Sequence, residues 1–236
     1  MPYENSAEWY DLIYRWKDYR AEVNALRGYF ARYESRPTHT ILDVACGTGA
    51  HLVHLNDHYT CTGLDYSPDM LRVARAKLPD LPIHEGDMRT FDLGMTFDVV
   101  LCLFSAIGYM HSTDDLHKAV ATMAQHVAPG GMLIFDGWFT PEQYTPGRLS
   151  MLTVDEPEIK LVRMSVSEIR GRLSVMDMHH LVATREGGTR HFIEHHELHM
   201  FTEDEYAEAV RAAGLGIVVD PQGLMNRGLY IGIKPL

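Results

Sequence analysis

The chain has 236 residues, enough for one α/β domain with a substantial insert and a sizeable buried core. Its 21 basic and 32 acidic residues give a net charge of −11, which argues against a general binder of nucleic-acid backbones, because that role needs a basic surface. No apolar run approaches the roughly 18 residues of a membrane span, and the N-terminal residues lack the basic-then-apolar order of a signal peptide, so a cytoplasmic protein is expected.

Residues 7–16 read as a short aromatic-rich helix with Tyr10, Ile13 and Tyr14 on one face, suited to capping a core or to covering a ligand. A second helix is expected from Tyr19 to Arg32. Ile41 to Ala45 then reads as a short buried strand, and Gly47 and Gly49 follow one residue apart before a helix over about 49–57. Strand, glycine turn and helix open a nucleotide-binding βαβ unit, in which a missing Cβ lets a ligand approach the backbone. A second strand, Tyr59 to Asp65, ends on an acid. Ser67-Pro68-Asp69 starts a helix with a capping serine, proline at the first helical position and an early acid. A third strand over 82–85 leads into Gly86-Asp87-Met88. A fourth, Phe97 to Phe104, is almost wholly apolar. A helix over 113–127 is broken by Ala128-Pro129-Gly130-Gly131 before a fifth strand, Met132 to Asp136. Strands alternating with helices predict a parallel sheet covered on both faces.

The pattern changes after Trp138. Three β-like segments near 159–169, 172–184 and 190–201, separated by Arg170-Gly171 and Glu186-Gly187-Gly188, predict an antiparallel insert over 139–201. Thr202 and Glu205 form a capping-box pattern, and that helix ends at Gly214. Ile217-Val218-Val219 and Leu229 to Ile233 return to the first sheet. The expected division is a core of 1–138 and 202–236, with an N-terminal helical lid, and an insert of 139–201 for substrate binding or dimerisation. Cys46, Cys61 and Cys102, sparse and without metal spacing, read as reduced core thiols.

The glycine turn is not that of a dinucleotide-binding dehydrogenase. The third glycine of that fingerprint, which lets helix and strand pack closely, is replaced by Leu52. Asp65 can accept hydrogen bonds from both ribose hydroxyls, and Asp87 can reach an adenine amino group with Met88 as apolar neighbour. Two acids with no basic group nearby suit a nucleoside without phosphates, and S-adenosylmethionine fits that description. Asp43 to Gly49, Asp65, Gly86-Asp87-Met88 and the Ala128-to-Met132 turn together resemble class I S-adenosylmethionine-dependent methyltransferases. The resemblance implies a Rossmann-like, seven-stranded, mostly parallel sheet whose last strand is antiparallel. It implies cofactor contacts from Ala45, which replaces the motif's first glycine, and from Gly47, Gly49, Asp65, Tyr66, Asp87, Met88 and Leu103.

Tyr10 to Tyr14, Lys17-Asp18-Tyr19, Phe104 to Tyr109, Arg190 to Phe192 and Asn226 to Tyr230 resemble, in order, the N,N-dimethyltransferases of nucleotide-linked deoxyamino sugars. That resemblance implies a thymidine-diphosphate amino sugar as substrate and a homodimer. It implies substrate contacts from Tyr14, Trp138, Gln143, Arg163, Ser165, Ser167 and Arg227, with Tyr19 closing over the cofactor. Independently, Arg163, Ser165 and Ser167 share one face of a strand by their period of two, as a phosphate-binding row would. The expected chemistry is in-line methyl transfer to a neutral amine. Deprotonating an amine one or two units above ambient pH costs about 1.4–2.8 kcal/mol, whereas orientation supplies about 7–11 kcal/mol. No indispensable base is therefore expected. Tyr14 and Tyr109 are the candidates to orient the amine or take its proton, with His111 a weaker one. His179, His180, His191, His195, His196 and His199 crowd the insert, but neighbouring histidines on a strand face opposite ways, and no metal is expected. The alternatives are methylation of another small amine or hydroxyl, and a non-catalytic cofactor-binding regulator.

Overall fold

A computed structural model describes residues 3–236. Strands β1 (Thr40–Val44), β2 (Thr60–Asp65), β3 (Ile83–Glu85), β4 (Phe97–Cys102) and β5 (Val127–Asp136) are parallel neighbours in the order β5-β4-β1-β2-β3. Four further strands, β6 (Leu149–Asp155), β7 (Ile159–Arg170), β8 (Leu173–Thr184) and β9 (Gly188–His199), form an antiparallel sheet of their own. Strands β10 (Gly216–Asp220) and β11 (Leu229–Ile233) complete the first sheet, whose full order is β10-β11-β5-β4-β1-β2-β3, with β11 antiparallel to both neighbours. The expected α/β class, the seven-stranded mostly parallel sheet and the antiparallel insert are all present.

The strand period of two decides which helices lie on which face. Ile41, Val99, Leu101 and Ile134 pack with helices α2 (Tyr19–Tyr33), α3 (Ala50–Leu55) and α4 (Pro68–Lys77). Their sequence neighbours Leu42, Val100, Leu133 and Phe135 pack with α5 (Thr113–Gln125) and α6 (Glu203–Ala212). Helix starts follow the capping signals. Ser67 Oγ accepts from Met70 N, and Thr202 and Glu205 exchange side-chain-to-backbone bonds in a capping box.

Three elements differ from expectation. Residues 7–16 are not one helix but a 3-10 turn at Ala7–Trp9 followed by α1 (Tyr10–Ile13). The chain must turn there because Asp18 caps α2, accepting from Ala21 N at 2.9 Å. Strand β5 starts at Val127 rather than Met132, crossing the Pro-Gly-Gly run with a register shift against β4. Gly131 permits this, since a Cβ there would lie 2.5 Å from the Asp98 carbonyl oxygen. Finally, β6 is a fourth insert strand that the sequence reading passed over. It is an edge strand with mostly exposed residues, so its alternation is weak.

The N-terminal segment is tied to both sheets. Ser6 N and Oγ donate to Glu194 on β9, while the Asp11 carboxylate accepts from Thr48 Oγ1 and Lys77 Nζ beside the glycine turn. Trp9, Tyr10, Ile13 and Tyr14 form one apolar cluster with Ile159, Leu161 and Val182 of the insert.

Candidate active site

The carboxyl ends of β1, β2 and β4 open onto a cavity of about 400 Å³. Its wall contains Tyr19, Ala45, Gly47, Asp65, Tyr66, Asp87, Met88 and Leu103, eight of the nine expected cofactor contacts, together with Tyr109. The ninth, Gly49, is not in the wall. It caps α3 in the left-handed region at φ 76°, where a Cβ would meet Leu78 Cδ1 at 3.0 Å. The close helix–strand packing that a dehydrogenase obtains from its third glycine is here placed on β2. A Cβ on Gly63 would lie 2.9 Å from Leu52 Cδ1. Gly47 adopts φ 57° with open space where its Cβ would be, and Ala45 adopts φ 58° despite its Cβ.

Four carboxylates, those of Asp43, Asp65, Asp87 and Asp115, stand in a wall that is otherwise largely apolar and aromatic. Asp65 accepts from Gly47 N at 2.7 Å and from Ser67 N at 2.8 Å, so one side chain clamps the glycine turn to the start of α4. Burial pushes its pKa up, and the backbone donors oppose that shift. Asp43 is 1% exposed, and its Oδ2 has no hydrogen-bond partner among the described residues. Burial first, and then the neighbouring Asp65, push Asp43 up to about 8. Asp87 corrects the expectation of acids without a basic neighbour. Arg89 Nε and Nη2 donate to its two oxygens at 3.0 and 2.6 Å, and this guanidinium holds Asp87 below the usual carboxylate range. Arg89 also reaches Asp115 at 3.4 Å and is itself in the cavity wall. It lies two residues beyond the acid it binds, and the sequence reading did not weigh it. The Tyr19 hydroxyl is another buried group without a hydrogen-bond partner among the described residues. An orphaned carboxylate oxygen, an orphaned phenol, an open left-handed turn and an arginine already paired form a donor set suited to a hydroxylated, cationic nucleoside. They do not suit a pyrophosphate, which requires free cationic donors.

The expected substrate residues lie outside this wall, and two arms of them converge on the Phe104–Ser105 turn after β4. On one arm, Arg163 Nη1 donates to Tyr14 Oη at 2.9 Å, and the Tyr14 ring meets the Phe104 ring edge-on at 5.1 Å. On the other, Arg227 Nη1 donates to Ser105 Oγ at 3.1 Å, with its guanidinium over Trp138 at 4.6 Å and Phe139 at 4.5 Å. Phe104 and Ser105 both adopt left-handed backbone, at φ 60° and 59°. Such residues cost about 1–3 kcal/mol each and persist when their surroundings over-determine them. Here Asp136 Oδ2 accepts from Ser105 N at 3.0 Å, and Ser105 Oγ donates to Gly137 O at 2.7 Å. Asp136 is 1% exposed, and burial pushes it up to about 6 although Arg227 opposes the shift. Lys17, which the sequence offered only as part of the Lys17-Asp18-Tyr19 motif, is buried with Nζ 4.6 Å over the Phe104 ring and paired with Glu22.

The phosphate-binding row is not intact. Ser167 donates to Thr145 O at 3.1 Å and accepts from Arg148 N at 3.0 Å, so its hydroxyl pins the loop before β6. It also lies roughly 13 Å along β7 from Arg163, at about 3.3 Å per residue. Ser165, half-buried, sits between them. Gln143 is exposed, and its side chain accepts from Thr140 N at 3.1 Å. Trp138 Nε1 donates to Ser174 Oγ at 2.7 Å, joining the end of β5 to β8. His111, in the cavity wall, reaches Glu197 O at 3.3 Å. In the insert, His179 and His195 are exposed while His180 and His196 are buried, as the opposite facing of strand neighbours requires. His179 Nδ1 lies 3.2 Å from His191 Nε2.

Residues 41–131 match a family model described as a methyltransferase domain. Over 230 residues the chain is 40% identical to the dTDP-3-amino-3,6-dideoxy-alpha-D-glucopyranose N,N-dimethyltransferase of Streptomyces fradiae, covering 96% of this chain and 90% of that one. It is also 40% identical to the dTDP-3-amino-3,4,6-trideoxy-alpha-D-glucopyranose N,N-dimethyltransferase of Streptomyces venezuelae, covering 96% and 97%. Among solved structures, Streptomyces venezuelae DesVI superposes with a TM-score of 0.92 at 38% identity, over 98% of this chain and 99% of that one. S-adenosylmethionine-bound CalS10, an amino pentose methyltransferase from Micromonospora echinaspora, superposes with a TM-score of 0.84 at 37% identity, over 93% of each chain.

Proposed function

The chain belongs to the family of dTDP-amino-sugar N,N-dimethyltransferases, and on that premise we propose how its own residues divide the work. The protein is an S-adenosylmethionine-dependent N-methyltransferase of nucleotide-linked deoxyamino sugars. The observation that carries the reading is the pair of adjoining regions. An acid-lined cavity fits the cofactor, and two arginine-bearing arms meet at the Phe104–Ser105 turn on its edge. Asp65, Ala45 and Gly47 hold the nucleoside end, Asp87 and Met88 the base, and Tyr19 covers the site. The bound cofactor supplies an electrophilic methyl group on a sulfonium. Arg227 and Arg163 take the diphosphate end of the sugar nucleotide, Trp138 packs on its ring system, and Ser165 and Gln143 are the further substrate contacts that the family likeness implies. Tyr14 and Tyr109 orient the amine, and the amine must be neutral when it attacks. The test is incubation of the purified protein with labelled cofactor and a panel of dTDP-amino sugars. Two successive methyl additions to one amine are expected, and turnover of non-sugar amines alone would sink the reading.

The outer face of the second sheet exposes Leu149, Met151, Met164, Val166, Leu181 and Ile193. An apolar face of that extent supports a homodimer, which light scattering on the eluting protein would detect. No helix among the described residues is long and apolar enough to cross a membrane. The three cysteines are free and buried, as expected of core thiols.

Asp43 gives a pH prediction. Between an unfolded carboxylate pKa of about 4 and the folded value of about 8, the native cofactor-free protein holds a proton that the unfolded chain has lost. The stabilisation is complete below the lower value and is lost as pH rises through the upper one. The melting temperature of the cofactor-free protein should therefore fall between pH 5 and 8, and Asp43→Asn should flatten the fall. A cationic ligand favours the ionised carboxylate, so S-adenosylmethionine affinity should rise over the same window in the native protein and not in the variant. Scanning fluorimetry and calorimetric titration read both effects, and identical slopes in the two proteins would refute the assignment.

A further inference from the structure

Behind the cavity wall, a hydrogen-bonded chain runs from Tyr109 into the insert. Tyr109 Oη lies 2.8 Å from His196 Nδ1 and 3.2 Å from Tyr3 Oη. His196 is 1% exposed, and its Nε2 has no hydrogen-bond partner among the described residues. The nearest carboxylate oxygen to that nitrogen in an ion-pair geometry is Glu194 Oε2, at 3.9 Å. Glu194 is 4% exposed and is held by Ser6 N, Ser6 Oγ and Asn5 N at 3.0, 2.8 and 3.1 Å. The groups facing His196 are thus Tyr109 from the turn after β4, Tyr3 from the N-terminal segment with its ring 4.8 Å away, and Glu194 from its own strand. His180 on β8 also lies within electrostatic reach of Glu194, His196 and Arg163. A hydroxyl in the cavity wall, an imidazole in hydrogen-bond contact with it and a buried carboxylate near enough to balance an imidazolium share part of the logic of an acid–base triad.

We propose that His196 is a positioning residue that stores the amine's proton through Tyr109, which rests on the amino-sugar reading above. The amine arrives protonated and donates to Tyr109 Oη. As its proton moves to that oxygen, the phenolic proton moves to His196 Nδ1. The amine is left with a free lone pair, and the imidazolium is balanced by Glu194. The methyl group then moves from the sulfonium to the amine nitrogen as the carbon–sulfur bond breaks. When the products leave, the stored proton returns by Tyr109 to solvent, so each methyl transfer releases one proton. Tyr109 serves as a conduit rather than as a base, because burial pushes its own pKa well up. Burial also acts on Glu194, but its hydrogen-bond donors hold it below the ordinary carboxylate value, which keeps it charged.

The deciding variant is His196→Asn, whose side-chain oxygen keeps an acceptor near the place of Nδ1 but stores no proton. An amine one or two units above the working pH is neutral in roughly 1–10% of molecules. At pH 7 the variant should therefore lose about 10–100-fold in kcat, with KM for the sugar nucleotide and calorimetric cofactor affinity unchanged. At pH 9 to 9.5 it should approach the native rate. Tyr109→Phe should show the same pH-dependent loss on top of a pH-independent loss of amine orientation, and adding His196→Asn to it should cost nothing further. A loss equal at every pH, or losses that multiply, would make His196 merely structural and overturn the proposal. Native rates for His196→Asn at pH 7 would overturn it while leaving the amino-sugar function standing. A native protein that binds cofactor but methylates no amino sugar would fail the functional reading itself.

Discussion

Asp65→Ala is expected to weaken S-adenosylmethionine binding by about 10²–10⁴-fold, corresponding to roughly 3–6 kcal/mol. One carboxylate is asked to do two things. It accepts from Gly47 N and Ser67 N, which fixes the glycine turn against the start of α4. It is also the acid proposed to face the ribose. Hydrogen bonds to a charged acceptor contribute about 1.5–3 kcal/mol each, and an orphaned buried donor costs about 1–3 kcal/mol. Removing the side chain forfeits both, because the turn loses its anchor as the ligand loses its acceptor. Asp65→Asn should fall between the two, since it keeps one acceptor oxygen but turns an amide N–H towards a backbone N–H. Calorimetric titration gives the affinities, and circular dichroism establishes that the sheet persists. A dissociation constant within about threefold of the native one would remove Asp65 from the site.

Arg227→Met is the second large effect. The guanidinium stacks on Trp138 and Phe139, donates to Ser105 Oγ and faces the field of buried Asp136. Methionine can occupy the same slot between the rings, so the variant isolates charge and hydrogen bonding from volume. Losing the proposed charge-assisted bond to a phosphate, worth about 1.5–3 kcal/mol, should raise KM for the sugar nucleotide by roughly 10–200-fold. The diphosphate is remote from the reacting nitrogen, so this is uniform binding and kcat should hold. Arg227→Lys should recover only part of the affinity, because an ammonium keeps the charge but not the planar fork. Without the arginine, Asp136 also loses its countercharge, and its pKa should rise above the native value of about 6. A fall in kcat with KM unchanged would place Arg227 at the reacting centre instead.

Much of the fold was legible because the physics that builds it is local. Apolar runs of strand length, capping serine and threonine, and glycines before helices each act within a few residues, and the core helices begin where those signals lie. The acids at the strand ends were legible for a related reason. A parallel α/β sheet sends its carboxyl ends to one side, so Asp65 and Asp87 had to meet the same cavity. Elements whose conformation is set by distant partners were misread. The segment 7–16 follows the contours of the insert and the cap of the next helix, so its helical stripe did not become a single helix. β6 takes its extended form from pairing with β7, not from its own pattern.

The acceptor side shows the same division. Period-two spacing correctly put Arg163, Ser165 and Ser167 on one face of β7, but a shared face is not a shared partner. Arg163 reached Tyr14, whereas Ser167 reached the loop at Thr145 and Arg148. By itself, then, the sequence determined the order of elements, the glycine turn and the acids that suit a cationic nucleoside, all of them matters of neighbours along the chain. Only the tertiary structure decided which long-range partners share a buried space. It paired Arg163 with Tyr14 across 149 residues of chain, joined Arg227 to Ser105 across 122, and set His196 behind Tyr109 across 87. Such contacts are chosen by how two sheets and a docked N-terminal segment close on one another, and desolvation then gives those pairings their electrostatic weight.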